Sequence, residues 1–118
     1  MKDLKISKEL IKAVLKKETE TLSKDFNFTI NEDYIEFSDD GEMQFEYCIY
    51  KFAFKCKERA KNKEYIVHSS PTQKIEHTAI VQSFDINKFY YGENQFYALT
   101  EVEAIIKACE WILSEVNK

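Results

Sequence analysis

The feature that most constrains this chain is an apolar stripe near its C-terminus. Apolar side chains recur there at the three- and four-residue spacing of one helix face, at Val102, Ile105, Ile106, Cys109, Ile112, Leu113 and Val116. Thr100 and Glu103 have the T-x-x-E spacing of a capping box, and Glu101 adds negative charge at the positive end of the helix dipole. The pattern predicts a helix over residues 101–116 with its apolar face in the core.

The length and composition fit one packed domain. A chain of 118 residues that is 44% hydrophobic and 14% aromatic can bury one core, and it leaves no room for two conventional domains. The chain contains only two glycines and one proline, which argues against a flexible linker or a proline-rich docking tract. We therefore predict a single domain over residues 1–118.

A first helix is predicted to begin after Ser7. Serine is a good N-cap, and Ile6 and Ile11 have the spacing of a hydrophobic staple. An apolar stripe continues through residues 10–15 with lysines on the opposite side, so we expect the helix to run to about residue 18–23.

Short segments with the apolar character of β-strands lie between the terminal helices. They are residues 26–30, 34–37, 65–69, 78–84 and 89–91, and residues 95–99 are a further segment that pairs briefly or leads into the last helix. The first two segments flank a predicted turn at residues 31–33. Pro71 is predicted in the loop after the third segment, because proline cannot donate to a strand ladder.

The segment 42–61 fits two interpretations. Its apolar residues have helical spacing, at Phe45, Cys48, Ile49, Phe52, Cys56 and Ala60. Asp39 and Glu42 resemble a capping box in front of that helix. Residues 45–54 are equally an aromatic-rich run that suits a strand. We favour the helix, because the pattern is long and its lysines gather toward the end, where positive charge suits the helix dipole.

The predicted fold class is α+β. The elements follow one another as a helix, a short hairpin, a helix, a three-stranded antiparallel sheet and a C-terminal helix packed on one sheet face. From residue 43 onward this order resembles that of double-stranded RNA-binding domains. The second helix of those domains opens with a basic cluster that grips phosphates, whereas residues 100–103 here read TEVE. The resemblance therefore implies a similar order of helices and strands. It does not imply that this chain binds RNA.

Two predicted helical stretches resemble, in amino-acid sequence, segments of small uncharacterised proteins of bacterial viruses and prophages. Residues 55–60 read KCKERA, where those proteins have a KCKEWA-like helix, and the departure is at Arg59. Residues 103–113 read EAIIKACEWIL, similar to the EAIFKACEWIL helix that ends such chains. The resemblance implies a phage accessory protein and supplies no site residues.

Charge is segregated along the chain, whose net charge is −4. Residues 1–18 carry six lysines against three acids, and residues 19–50 carry nine acids against one lysine. Residues 51–63 carry six basic residues against Glu58. Asymmetry of this kind affects partners and electrostatic steering more than it affects the fold.

Cysteine and histidine provide no catalytic or metal motif. The three cysteines, Cys48, Cys56 and Cys109, are an odd number without CxxC spacing, which predicts reduced, structural thiols in a cytoplasmic setting. Only His68 and His77 could complete a metal site or a Cys–His pair. We predict no catalytic residues, cofactor or metal.

No segment resembles a signal peptide or a membrane span. Polar residues precede any apolar run at the N-terminus, and no apolar run approaches the roughly 20 residues of a membrane span. We therefore expect neither a signal peptide nor membrane contact.

Aromatic residues are more numerous than so small a core easily hides, with nine Phe and seven Tyr. We single out two sets as a candidate contact surface, because tyrosine buries a large area while keeping a polar tip. The first set lies on a second face of the predicted helix 42–61 and consists of Tyr47, Tyr50 and Phe54. The second set surrounds Gly92 and consists of Tyr90, Tyr91, Phe96 and Tyr97.

A candidate basic patch lies on the same predicted helix. It consists of Lys51, Lys55, Lys57 and Lys61, whose i,i+4 spacing makes two stripes. Positive charge near a helix C-terminus is stabilising in itself, and phosphate contact is the functional alternative.

Together these features predict a non-enzymatic protein-interaction module of phage or prophage origin, with inhibition of a host nucleic-acid-handling system as one specific form. The alternative is a nucleic-acid-binding domain that uses residues 51–63. A protein partner is expected ahead of a nucleic acid, and a homodimer remains open.

Overall fold

The structure is a computed structural model and describes residues 4–71, 76–83 and 94–117. In chain order its elements are α1 (Lys8–Val14), α2 (Lys16–Thr19), β1 (Asn27–Asn31), β2 (Tyr34–Asp39), β3 (Glu42–Cys48), α3 (Ile49–Asn62), β4 (Tyr65–Pro71), β5 (His77–Ser83), β6 (Gln95–Ala98) and α4 (Glu101–Val116). The strands form two antiparallel three-stranded sheets, ordered β1-β2-β3 and β4-β5-β6. The predicted α+β class with a C-terminal helix is confirmed.

The first helix begins where the sequence indicates. The Ser7 hydroxyl accepts a hydrogen bond from the Leu10 amide at 3.1 Å, and Ile6 and Ile11 are both buried. The helix is not continuous to residue 18–23, because Leu15 leaves helical geometry at φ −104° and ψ 47° and separates α1 from the short α2. Leu15 is fully buried, so the interruption lies inside the core.

The predicted helix over 42–61 is wrong for residues 42–48, which form β3. Asp40 and Gly41 both have positive φ, at 55° and 80°, the geometry of a type I′ turn that joins two strands tightly. Asp39 and Glu42 are paired across that turn, so they close a hairpin and do not cap a helix. The helix α3 begins only at Ile49.

An aromatic cluster explains why residues 42–48 pair as a strand. The Phe45 ring stacks on Phe37 of β2 with ring centroids 4.7 Å apart, and Phe37 also contacts Phe26 and Phe28. Side chains alternate along β3, with Phe45 half-buried and Glu46 exposed. Pairing with β2 buries aromatic surface that a helix could not have brought to Phe37.

In the second sheet, β4 and β5 lie in two predicted strands, and β6 lies in the later segment 95–99. β4 and β5 occupy the predicted segments 65–69 and 78–84 within two residues. Pro71 is the last residue of β4 and not part of the following loop, a position that an edge strand permits because no ladder donor is lost. The predicted strand 89–91 lies outside the described residues. β6 pairs with β5, so of the two expectations for residues 95–99 the pairing is confirmed.

The last helix lies between α3 and the second sheet. Thr100 accepts a hydrogen bond from the Glu103 amide at 3.2 Å, and its hydroxyl donates to the Glu103 carboxylate at 3.1 Å, so the predicted capping box is present. α4 packs across β4, β5 and β6 on one side and against α3 on the other. Its buried residues are Val102, Ala104, Ile105, Ile106, Ala108, Cys109, Ile112 and Leu113.

Removing a side chain from this buried face should destabilise the protein. Ile112 is 1% exposed, so we expect Ile112→Ala to lower the free energy of unfolding by about 2–5 kcal/mol, the usual cost of a large-to-small core change. Denaturant unfolding measures the loss. The matched control is Ser114→Ala on the exposed side of α4, which should change stability by less than about 0.5 kcal/mol. An equally small loss for Ile112→Ala would show that this face is wrongly assigned.

Candidate functional site

Helix α3 has a buried face and an exposed aromatic face. Phe52 is fully buried, whereas Phe54 is 63% exposed although it lies only two positions further along. Two positions on a helix are about 200° apart, so these side chains point to nearly opposite sides. Tyr50, one turn before Phe54, is also exposed, at 54%. Two adjacent aromatic rings therefore face solvent from the same side of α3.

A groove of about 470 Å³ adjoins these rings. Its apolar floor comes from Ala53 of α3 and from Val102 and Ile105 of α4, all three of which are nearly buried. Phe54 and Tyr50 line it from α3, and its polar lining consists of Asp33, Lys57, Thr100 and Glu101. We call this the Phe54 groove. It lies between α3, the start of α4 and the turn between β1 and β2.

Two further depressions adjoin Phe54. One of about 400 Å³ lies toward the start of α3 and is lined by Tyr47, Tyr50, Lys51, Phe54, Lys55 and Glu58. The other, of about 350 Å³, lies toward β4 and is lined by Phe54, Lys57, Glu58, Lys61, Tyr65, Ile66 and Val67. Because Phe54 lines all three concavities, its exposed ring is at the centre of one continuous uneven surface.

The first predicted aromatic set is brought together, although its members come from two elements. Tyr47 is on β3 and not on the predicted helix, and it is half-buried, with the Lys55 ammonium 5.7 Å from its ring centroid. Tyr50 and Phe54 are on α3 as predicted. All three line the 400 Å³ depression.

The second predicted aromatic set does not form one surface in the part of the chain that the structure describes. Tyr90 and Tyr91 lie outside the described residues. Phe96 is half-buried, with its ring centroid 6.1 Å from that of Trp111, so it packs on the core side of β6. Tyr97 points the other way, is 48% exposed and donates from its hydroxyl to Gln95 at 2.6 Å.

The predicted basic patch contains one lysine that pairs within the protein and three whose side chains do not pair with any described residue. The Lys55 ammonium forms an ion pair with Glu18 at 2.9 Å, and their hydrogen bond raises the pKa of Lys55. Partial burial is the largest single influence on the pKa of Glu18 and raises it, but the hydrogen bonds to the carboxylate and the charges of Lys55 and Lys17 together lower the pKa by more, so the net shift is downward. The side chains of Lys51, Lys57 and Lys61 have no hydrogen bond or ion pair with any described residue.

The fold also brings together two basic segments that are far apart in the sequence. A crevice of about 550 Å³ between the α1–α2 region and α3 is lined by Ala13, Val14, Lys16, Lys17, Glu18, Lys55, Glu58, Arg59 and Asn62. Four cations and two carboxylates share it, and the Lys55–Glu18 pair neutralises part of the charge. Spacing within residues 51–63 alone did not indicate this arrangement.

The carboxylates beside the Phe54 groove are already engaged. Asp33 accepts a hydrogen bond from the Tyr50 hydroxyl at 3.3 Å, and the negative charge of Asp33 raises the pKa of Tyr50. Glu101 accepts a hydrogen bond from the Ser69 hydroxyl at 2.7 Å. Lys57 is the groove's charged group without such a contact among the described residues.

The cysteines occupy structural positions. Cys56 and Cys109 are buried on the facing sides of α3 and α4, and burial raises the pKa of the Cys56 thiol, reinforced by its hydrogen bond with Cys109. Cys48 is the half-buried N-cap residue of α3, so it does not share an apolar helix face with Cys56 as the spacing had suggested. A raised pKa keeps a thiol protonated and lowers its reactivity.

The histidines flank the segment after Pro71 as predicted. His68 on β4 is exposed, whereas His77 on β5 is half-buried, and its Nδ1 has no hydrogen-bond partner among the described residues. Within those residues no three His, Cys, Asp or Glu side chains are grouped closely enough to hold a metal ion.

Comparisons with known proteins gave no match to any family model, curated protein or solved structure. None of the helices in the described part of the chain is both long and apolar enough to cross a membrane.

Thiol labelling tests the structural role of the cysteines. We expect Cys56 and Cys109 to react slowly in the native protein and fast in denaturant, because burial blocks access and disfavours the thiolate. Half-buried Cys48 should label at an intermediate rate and serves as the internal reference. Mass spectrometry of peptides from a labelling time course gives each rate. Rapid native labelling of Cys56 would reinstate it as a candidate nucleophile.

Proposed function

We propose that this chain is a non-enzymatic protein-interaction module whose contact surface is centred on Phe54. The observation that supports the proposal is the position of this ring, 63% exposed and beside a groove with a nearly buried apolar floor. Interface energies concentrate in a few aromatic or cationic residues that fill or form such concavities. Phe54, Tyr50 and Lys57 are residues of this kind.

Helix propensity does not explain the exposed phenylalanine at position 54. A phenylalanine at an exposed helix position contributes little to helix stability, and lysine or glutamate would be at least as favourable there. Contiguous exposed apolar surface rimmed by polar groups is typical of binding sites. Tyr47, Tyr50 and Phe54 together form such a surface, with Lys51 and Lys57 at its margin.

Our proposal extends to a cytoplasmic phage or prophage accessory protein that acts on a host nucleic-acid-handling protein. The likeness of residues 55–60 and 103–113 to phage proteins supports the origin. The first sheet supports the inhibitory role, because Glu36 and Glu46 are directly opposite each other on β2 and β3 and Asp39 and Glu42 close the same hairpin. A carboxylate-rich surface can compete with nucleic acid for a basic site.

Nucleic-acid binding is the second candidate function. The basic crevice supports it, since Lys16, Lys17 and Arg59 converge there from separate helices. Cations that lie along one path can follow a phosphate backbone. The ion pair of Lys55 with Glu18, and the presence of Glu58 in the same crevice, reduce this potential and place nucleic acid behind a protein partner.

Photo-crosslinking tests the proposed contact surface. A photoreactive phenylalanine analogue in place of Phe54 should capture a discrete partner in bacterial cells, because the ring would be enclosed by the bound protein. The matched control carries the same analogue in place of Tyr97, which is 48% exposed but lies on β6, and should capture no such species. Phe54→Ala should abolish co-purification of the captured protein.

The Phe54→Ala variant is expected to fold normally. Phe54→Ala should change the free energy of unfolding by less than about 0.5 kcal/mol, as exposed positions usually do. Phe52→Ala, two positions away in the core, should cost about 3–5 kcal/mol. Equal capture from positions 54 and 97, or unchanged co-purification with Phe54→Ala, would contradict a surface centred on Phe54.

A binding titration with nucleic acids tests the second candidate function. Non-specific nucleic-acid binders reach dissociation constants of about 10⁻⁴–10⁻⁶ M at physiological salt. We expect labelled single- and double-stranded RNA and DNA to bind this protein more weakly than that range, because acids accompany its lysines. Measurement at two salt concentrations isolates the phosphate contribution. Micromolar, salt-sensitive binding that is lost when Lys51, Lys55, Lys57 and Lys61 are changed to Glu would instead establish nucleic-acid binding.

A further inference from the structure

We infer that the open edge of β1 pairs antiparallel with β1 of a second copy of this chain, which joins the first sheets of the two copies into one continuous sheet. β1 does not line the Phe54 groove, and the inference does not depend on the proposed function. β1 is an outer strand of its sheet, and in the described part of the chain β2 is the only element that contacts it extensively. An outer strand presents unpaired main-chain groups along its free side, to which another strand can add.

The register of β1 with β2 identifies these free main-chain groups. A two-residue turn at 32–33 closes the hairpin, so Asn31 and Tyr34 exchange hydrogen bonds, and bonded positions then alternate along β1. The N–H and C=O groups of Phe28 and Ile30 therefore point away from β2. No described residue forms a hydrogen bond with them.

Lys8 of α1 lies on the same side of the strand. Its ammonium donates hydrogen bonds to the carbonyl oxygens of Lys24 at 2.9 Å and of Phe26 at 2.6 Å. These residues precede Phe28 at the same two-residue alternation, so Lys8 covers the edge up to residue 26. The open part of the edge begins at Phe28.

The side chains of β1 do not protect this edge from pairing. Proteins prevent unwanted pairing at outer strands with charged residues, proline or bulges. The opposite outer strand, β3, has the exposed acids Glu42 and Glu46 and an irregular register beside residues 37–38. β1 reads NFTIN, without charge or proline, and its register with β2 is regular throughout.

The order of side chains on β1 favours a second copy as the added strand. The strand has the same kinds of residue in both directions from Thr29, with a large apolar residue on each side of it and asparagine at each end. Antiparallel pairing about Thr29 places Phe28 opposite Ile30 of the second copy, and Asn27 opposite Asn31. An aromatic residue opposite a β-branched one is a stabilising cross-strand pair. Phe28 and Ile30 are only half-buried, so the pairing covers apolar surface that the monomer exposes.

The charges that flank β1 fit the same two-fold arrangement. Three lysines and two acids lie around the start of the strand, namely Lys8, Lys12, Lys24, Asp25 and Asp39. The turn after its end consists of two exposed acids, Glu32 and Asp33. Antiparallel pairing brings the more basic start of each strand toward the acidic turn of the other. The same contact is then made twice, as a two-fold interface requires.

Sedimentation equilibrium of the full chain over a concentration series tests the inference. We expect a concentration-dependent dimer that Thr29→Glu weakens by about tenfold or more, because two new carboxylates meet at the two-fold axis. Glu36 lies opposite residue 29 on β2 and adds to that repulsion.

The matched control is Gln44→Glu, which adds the same charge at an exposed position of β3, the other outer strand. It should change the dimer dissociation constant by less than about twofold, since β3 lies two strand spacings from β1 and charges at such distances are screened. An equimolar mixture of Thr29→Glu and Thr29→Lys should associate more tightly than either variant alone, because opposite charges then meet at the axis.

Hydrogen exchange distinguishes main-chain pairing from other modes of association. The amides of Phe28 and Ile30 should exchange more slowly as the protein concentration rises, because the second copy then bonds them. The amide of Thr29 is bonded to β2 in monomer and dimer alike, so its exchange rate serves as the internal reference.

Three results would overturn the inference. They are a wild-type chain that stays monomeric at millimolar concentration, a dimer that Thr29→Glu leaves intact, and a dimer in which the exchange of the Phe28 and Ile30 amides does not slow. A dimer that Phe54→Ala dissociates and Thr29→Glu does not would place the second copy at the Phe54 groove instead. Because β1 lines none of the three concavities at Phe54, a monomeric chain would leave the proposed function standing.

Discussion

The burial of α4 between α3 and the second sheet is the contact on which the rest of this fold depends. Residues on two sides of α4 are buried, and the helix contacts α3 and all three strands of the second sheet. Tyr65 and Phe96 of the sheet contact Trp111 on one side, and Cys109 meets Cys56 of α3 on the other. The carboxylate of Glu110 also accepts two hydrogen bonds at 2.9 Å from Ser7, which ties α4 to the start of α1. A helix packed on two sides in this way keeps α3 fixed, and α3 carries the exposed aromatic face.

The candidate site is a consequence of that packing at its edge. Between α3 and the N-terminal end of α4, the small side chain of Ala53 leaves space, and Val102 and Ile105 lie at the floor of an open groove. The capping of α4 at Thr100 determines where that helix begins and so where the groove ends. Stability and contact surface thus share residues. Changes at Ile105 would affect both, whereas changes at Phe54 separate them because its ring is exposed.

Electrostatics divides the molecule into regions of different sign. The acids of residues 19–50 lie mainly on the first sheet, and the basic residues of 1–18 and 51–63 meet at the crevice between α1–α2 and α3. Only part of this charge is used within the molecule, as in the pair of Lys55 with Glu18. The remaining lysines around Phe54 are therefore available to a partner.

The sequence by itself determined α4, the start of α1, the strands of the first hairpin and the strands β4 and β5, because each has a local signal such as a cap or a regular apolar period. It also indicated Tyr50 and Phe54 as surface residues from their position on the second face of a helix. It could not assign residues 42–48, since Phe45 and Cys48 fit a helical period as well as a strand, and only pairing with β2 and stacking on Phe37 decided between them. Tertiary structure alone distinguished Phe96 from Tyr97 and brought Asp33, Val102 and Ile105 to the groove beside Phe54. The physical reason is that a groove is formed by segments distant in the chain, and no local pattern records which of them will meet.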